Sequence, residues 1–127
     1  MLGLNQADDF LATGAASALV PKAASSLGRW GETRLAQVLG GAGEKPGKAM
    51  ATSLGNRFVD RMFDGIAHEA KAGLNVELTS TIRKQILKDA ELIGVGQIKG
   101  ARWHFFQGAK QETLNFLTQN GIQYSLY

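Results

Sequence analysis

Cysteine is absent from the 127 residues of this chain, and histidine occurs only twice. The first absence excludes disulfides and thiolate metal sites. It suits a domain that passes between oxidising and reducing compartments, and equally any cytosolic protein. His68 and His104 have neither the helical nor the tight spacing expected of a zinc pair. No apolar run approaches the length of a membrane span. The most apolar stretch, Phe10 to Val20, follows Asp8 and Asp9, where a signal peptide would carry Lys or Arg. It reads instead as a weak alanine-rich helix, Gln6 to Val20, ended by Pro21. What remains is ordinary for one soluble domain with one core, at 44% hydrophobic and 20% charged. A net charge of +3 and a pI of about 9.4 favour a polyanionic partner without identifying one.

Periodicity and breakers order the rest. A helix is expected from Ala23 or Arg29 to Leu39, stopped by Gly40-Gly41. The stretch from Gly41 to Ser53 reads as a polar, glycine-rich, exposed connection. Thr79 or Ser80 can cap a helix running to about Ile93, with Ile82, Ile86, Ala90 and Ile93 at helical spacing. Ala101 to Phe106 reads as a strand, Ala109 to Asn120 as a helix stopped by Gly121, and Ile122 to Leu126 as an alternating strand. The sum is an α/β (α+β mixed) domain, a mixed sheet flanked by helices, in the order α-β-β-(β)-α-β-α-β.

The segment Arg57 to Gly73 carries the chemistry. Asp64-Gly65 is a strong two-residue turn signal, since both central positions of such a turn need positive φ. A regular ladder closed by it pairs Phe63 with Ile66, Met62 with Ala67, Arg61 with His68, Asp60 with Glu69 and Phe58 with Lys71. Alternation then places Asp60, Glu69 and Lys71 on one face. Like charges opposite each other in a ladder destabilise it, so a cation is expected between the two acids. With the backbone carbonyl of Ala70 they form an all-oxygen site suited to Mg²⁺ or Mn²⁺. Such an ion activates water and polarises a phosphoryl oxygen. Lys71 would orient or deprotonate that water, or balance charge on the phosphate.

These residues resemble the core motif of the restriction-endonuclease-like, or PD-(D/E)xK, nucleases. The nearer likeness is to nuclease toxin domains at the C-termini of bacterial polymorphic toxins, of the contact-dependent growth inhibition and Rhs types. It rests on Gly55, Arg57 and Asp60, on Glu69-Ala70-Lys71, on Gln85-Ile86-Leu87-Lys88-Asp89, on Trp103-His104-Phe105 and on Gly121-Ile122-Gln123-Tyr124. Val59 stands where the family name has proline. The likeness implies a restriction-endonuclease-like core from Gly28 to Tyr127, with Met1 to Leu27 as a helical lead-in or linker. It implies a metal-dependent endonuclease acting on DNA, slightly favoured, or tRNA, with Mg²⁺ foremost and Mn²⁺ or Zn²⁺ as alternatives. It further implies export within a larger toxin, delivery into a target-cell cytoplasm, and neutralisation by a cognate immunity protein.

Other positions are weighed beside these. Glu32 shares a helical stripe with Leu35 and Leu39, an awkward place for a carboxylate unless it is paired. In the resembled family an acid from this helix often completes the metal site, so Glu32 is a candidate ligand. The plain alternative is an acid favoured by the helix's first turn. Gln85 is a candidate partner for Lys71 or a phosphate, and Asp89 a weaker one; both otherwise form the polar edge of an amphipathic helix. His68 should face away from the acids, while His104 could approach substrate. Trp103, Phe105 and Phe106 read as core, and most of the scattered Lys and Arg as a solvated face. Asp64 would replace Asp60 only in a shifted register. Two rival readings stay open. One is a nucleic-acid-binding module without turnover. The other is an interaction domain whose Asp60 and Glu69 pair with Arg57 and Arg61, although alternation places both arginines on the opposite face.

Overall fold

The computed structural model describes residues 20–127. The expected helix Gln6 to Val20 lies outside them, apart from Val20. A unit boundary falls between Trp30 and Gly31, and the site belongs wholly to the compact unit Gly31–Tyr127. Helix α1 (Ala24–Val38) spans the division. It is followed by β1 (Met50–Thr52), β2 (Gly55–Arg57), β3 (Arg61–Phe63), β4 (Ile66–Lys71), α2 (Ser80–Gly94), β5 (Gly100–Phe105), α3 (Gln111–Gln119) and β6 (Gln123–Leu126). Four strands separate α1 from α2, more than the sequence reading placed there. The additional pair, β1 and β2, is an antiparallel sheet of its own. It lies across the end of what composition presents as an irregular connection. Short strands with a glycine and no apolar alternation leave no sequence signal.

The four-stranded sheet is mixed, in the order β3-β4-β5-β6. β3 and β4 are antiparallel; β4, β5 and β6 are mutually parallel. Parallel neighbours need a crossover, and α2 and α3 supply the two. One face of the sheet presents Ala67, Ala101, Trp103 and Phe105 to α2 and α3, whose Ile86, Leu92, Leu114 and Leu117 complete the core. On the other face lie Ala70 and Ala72. There α1 crosses so closely that a Cβ on Gly31 would stand 2.9 Å from that of Ala72. Thr79 caps α2 by accepting from the Ile82 N–H at 3.2 Å. Gly40 and Gly41 close α1 with positive φ, donating to the carbonyls of Gln37 and Ala36 in the Schellman pattern.

The Asp64-Gly65 turn forms with both φ positive, 54° and 79°. The three ladder pairs nearest to it, Phe63 with Ile66, Met62 with Ala67 and Arg61 with His68, form as the turn dictates. Beyond Arg61 the chain bends at Asp60 and leaves the ladder. The expected pairing of Phe58 with Lys71 is therefore lost, and Phe58 stands 71% exposed. On its outer side β3 is covered by Glu44, which exchanges two backbone hydrogen bonds with Met62. Arg61 donates to the carbonyls of Gly41, Ala42 and Gly43. Gly43 approaches so closely, at φ 79°, that a Cβ there would collide with the Met62 carbonyl and the Phe63 Cβ. Gly43→Ala should therefore cost about 2 kcal/mol. A drop in urea midpoint at unchanged slope checks this, and a wild-type midpoint refutes it.

Candidate active site

Glu69 and Lys71 are two residues apart on β4 and so project from the same face. Opposite Glu69 on β5 is Trp103, and opposite Lys71 is Phe105. Glu69 is 6% exposed and takes a cation on each oxygen. Arg57 Nη2 stands 3.2 Å from Oε1 and Lys71 Nζ 3.1 Å from Oε2. Lys71 also donates to Gln85 Oε1 at 2.8 Å, and its ammonium lies 5.1 Å from the centre of the Trp103 ring. Gln85 thus holds the lysine, as its place on the helix suggested.

Asp60 reaches the same edge by a different route from the expected one. Its Oδ2 accepts the Ala70 N–H at 2.8 Å. The carboxylate thus stands in for the backbone acceptor that β3 would have offered had it continued. The N–H and C=O of one strand residue point the same way, so the Ala70 carbonyl also faces the edge that β3 vacates. Asp60 Oδ1 makes no hydrogen bond among the described residues. Burial raises the Asp60 carboxyl above its ordinary value, and the nearby charge of Glu32 adds to this. The Ala70 hydrogen bond, Lys71 and Arg57 pull the other way.

Arg57 is the residue that alternation misplaces. Because the chain bends between β2 and β3, Arg57 returns to the Glu69 face, buried at 2% exposure. Asp89 on α2 grips it, accepting from Nε at 2.7 Å and from Nη2 at 3.2 Å. The same Asp89 oxygen that faces Nη2 accepts the Trp103 indole N–H at 2.9 Å. Burial opposes the charge on Arg57, but Glu69 and Asp89 outweigh it and raise its pKa. Arg57, Asp89 and Trp103 therefore hold the site from behind. One signal was available: Asp89 lies four residues after Gln85, hence on the same helix face, and a buried tryptophan needs a partner for its N–H.

Glu32 sits apart from the hydrogen-bonded cluster. It pairs with Lys45 at 3.1 Å, with the two side chains 44% and 66% exposed, and its influence on the cluster is its charge on Asp60. His104 is buried on the opposite face of the sheet, between His68 and Tyr127, so it does not approach this site. His68 also faces away from the acids, as alternation requires.

The donor set suits one class of ion. Among the described residues no three His, Cys, Asp or Glu side chains converge as a metal cage. Asp60 and the Ala70 carbonyl stand at the β4 edge and Glu69 on the adjoining face, near enough for the Asp60 charge to act on it. A set of two carboxylates and a carbonyl is the sparse, water-retaining kind Mg²⁺ accepts, completed by substrate phosphate. Structural zinc, which takes four Cys or His ligands in a tetrahedron, is poorly served. The obstacle is that Arg57 and Lys71 already occupy both oxygens of Glu69.

Burial pushes the Glu69 carboxyl up to about 7, against the pull of Lys71 and Arg57. A carboxyl whose folded pKa exceeds its unfolded one stabilises the fold in its protonated form. That contribution is complete below the ordinary value of 4.5 and is lost as pH rises through about 7. With chelator present, Glu69→Gln should remove this decline. Asp60 shifts the same way and the buried histidines the opposite way, so the difference between wild type and variant isolates Glu69. Parallel curves of urea stability against pH would show that Glu69 titrates normally.

No helix among the described residues is long and apolar enough to cross a membrane. Comparison of the chain with family models, with curated proteins and with solved structures finds no match.

Proposed function

We propose that this chain is a metal-dependent nuclease that hydrolyses phosphodiester bonds of nucleic acid, DNA slightly ahead of tRNA. The observation that carries the proposal is the convergence of Asp60, Glu69 and Lys71 on one strand edge, with Gln85 on the lysine. A buried acid near neutrality beside a second acid and a fixed ammonium has the character of a functional site rather than of a structural ion pair. Asp60, Glu69 and the Ala70 carbonyl would hold Mg²⁺, with Glu32 able to join if it released Lys45. When bound, that ion lowers the pKa of a carried water and polarises a phosphoryl oxygen. Lys71, steered by Gln85 and by the Trp103 ring, places a positive hydrogen-bond donor where charge accumulates on the phosphate. Asp89, acting through Arg57, fixes the angle of Glu69.

The charge count supports an ion joining together with its substrate. Asp60, Glu69 and Asp89 against Arg57 and Lys71 leave one negative charge when all are ionised, which one divalent cation and one phosphodiester would bring to zero. The resemblance to polymorphic toxins adds the role of an interbacterial toxin domain held off by an immunity protein. That role rests on the likeness alone.

The Arg57–Glu69 pair favours a second reading, a nucleic-acid-binding or interaction domain that has filled its metal position with a guanidinium. One experiment separates the two. The purified chain is incubated with plasmid DNA and with total tRNA, under Mg²⁺, Mn²⁺ or Zn²⁺ and under chelator. Cleavage that chelator stops is expected. Salt-dependent binding without cleavage would select the second reading.

A further inference from the structure

The face of the sheet turned away from Glu69 carries a second polar row. His68, Arg102 and Gln123 are neighbours in register across β4, β5 and β6, one residue behind the row Glu69, Trp103 and Tyr124. They line a cavity of about 340 Å³ with Lys99, Ile66 and the backbone of Gly100, Ala101 and Gly121. No carboxylate lines it, and among the described residues neither Lys99 nor Arg102 forms a salt bridge.

Among the side chains on the wall, the Gln123 oxygen and His68 Nδ1 are already engaged, while Lys99 and Arg102 have no acceptor to offer. Arg102 donates to the Tyr124 carbonyl at 3.1 Å, to Ser125 Oγ at 2.9 Å and to Gln123 Oε1 at 2.6 Å. All three acceptors are neutral, so the guanidinium is held rigid with its charge uncompensated. Gln123 spends its oxygen on Arg102, which leaves its amide N–H groups as donors. His68 is 7% exposed, and its Nδ1 meets His104 Nε2 at 2.9 Å. His104 Nδ1 in turn meets the Tyr127 hydroxyl at 2.8 Å. When the Tyr127 hydroxyl donates inward to His104 and His104 to His68, His68 carries its proton on Nε2, the one ring nitrogen without a partner among the described residues; the reverse tautomer places a lone pair there.

We propose that this cavity is an oxyanion site for a phosphate group, held by the Lys99 ammonium, the Gln123 amide, the His68 Nε2–H and the field of Arg102. Two uncompensated cations beside neutral donors match a tetrahedral, multiply charged anion better than any neutral or cationic ligand. The occupant is either a backbone phosphate of a nucleic acid or a free phosphate ester, and the chemistry of capture is the same for both. The site lies on the sheet face opposite Glu69 and Lys71 and does not depend on the nuclease reading.

The test is a titration of the full chain with inorganic phosphate at constant ionic strength, following the His68 ring resonances by NMR. A saturable shift is expected. Lys99→Gln, a change at an exposed position, should weaken binding by about tenfold. A parallel titration with a fluorescent single-stranded oligonucleotide identifies the source. If the ligand is a backbone phosphate, Lys99→Gln lowers the salt slope of oligonucleotide binding by roughly 0.7. If it is a free ester, phosphate binding weakens in the variant while oligonucleotide binding is unchanged. Shifts that never saturate, or that saturate identically in Lys99→Gln, overturn the site.

Discussion

Lys71→Ala should lower Mg²⁺-supported cleavage by about a hundred- to a thousandfold, the usual consequence of removing one preorganised charge from a transition state. The fold should survive the change. Lys71→Ala leaves behind a buried Glu69, normally a costly orphan, yet burial already pushes that carboxyl up to about 7 and Arg57 stays on its other oxygen. The carboxyl can take up a proton instead of standing charged and unpaired. Asp60→Asn makes the matching test of the acid. An asparagine oxygen can still accept the Ala70 N–H that Asp60 now holds at 2.8 Å, so the strand edge stays closed while the charge is removed. Asp60→Ala removes both. Loss of cleavage in Asp60→Asn with an unchanged unfolding midpoint would separate the two roles of Asp60. Full plasmid and tRNA cleavage by Lys71→Ala would sink the mechanism.

How much of this was legible in the sequence follows from how local each signal is. The Asp64-Gly65 turn fixed three ladder pairs, because a two-residue loop of that composition allows one register. The periods of α2 and the aromatic run of β5 were equally plain, whereas Gln85 was one candidate partner for Lys71 among other readings and the hydrogen bond decides it. What failed was continuation. Nothing in Phe58-Val59-Asp60 announces that the ladder stops at Arg61, since the stop is made by a side chain taking over a backbone hydrogen bond. Once the chain bends there, alternation no longer applies to Arg57, and the arginine assigned to the far face becomes the partner of Glu69. The restriction-endonuclease-like core stays a likeness, while the mixed sheet flanked by helices is what the chain forms. The polar row behind the sheet was invisible for another reason: His68, Arg102 and Gln123 are neighbours only through strand register, far apart in sequence.

Asp89→Ala is expected to be the most destabilising single change at the site. It strips the guanidinium of Arg57 of two hydrogen bonds and the Trp103 indole of its acceptor, all in a region almost closed to water. Breaking such a pair from one side costs about 3–5 kcal/mol, because a cation stays buried with only Glu69 and the Phe58 carbonyl to hold it. Replacing both partners with apolar residues removes that stranded charge. Arg57→Met with Asp89→Leu should therefore unfold at higher urea than Asp89→Ala alone. The same pair bears on chemistry. Arg57 is one of the two charges that hold the Glu69 carboxyl down, so Arg57→Gln should raise that pKa further and move the onset of Mg²⁺-supported cleavage to higher pH. If Asp89→Ala unfolds within about 1 kcal/mol of wild type, the network behaves as a surface pair, and Arg57 cannot be what positions Glu69.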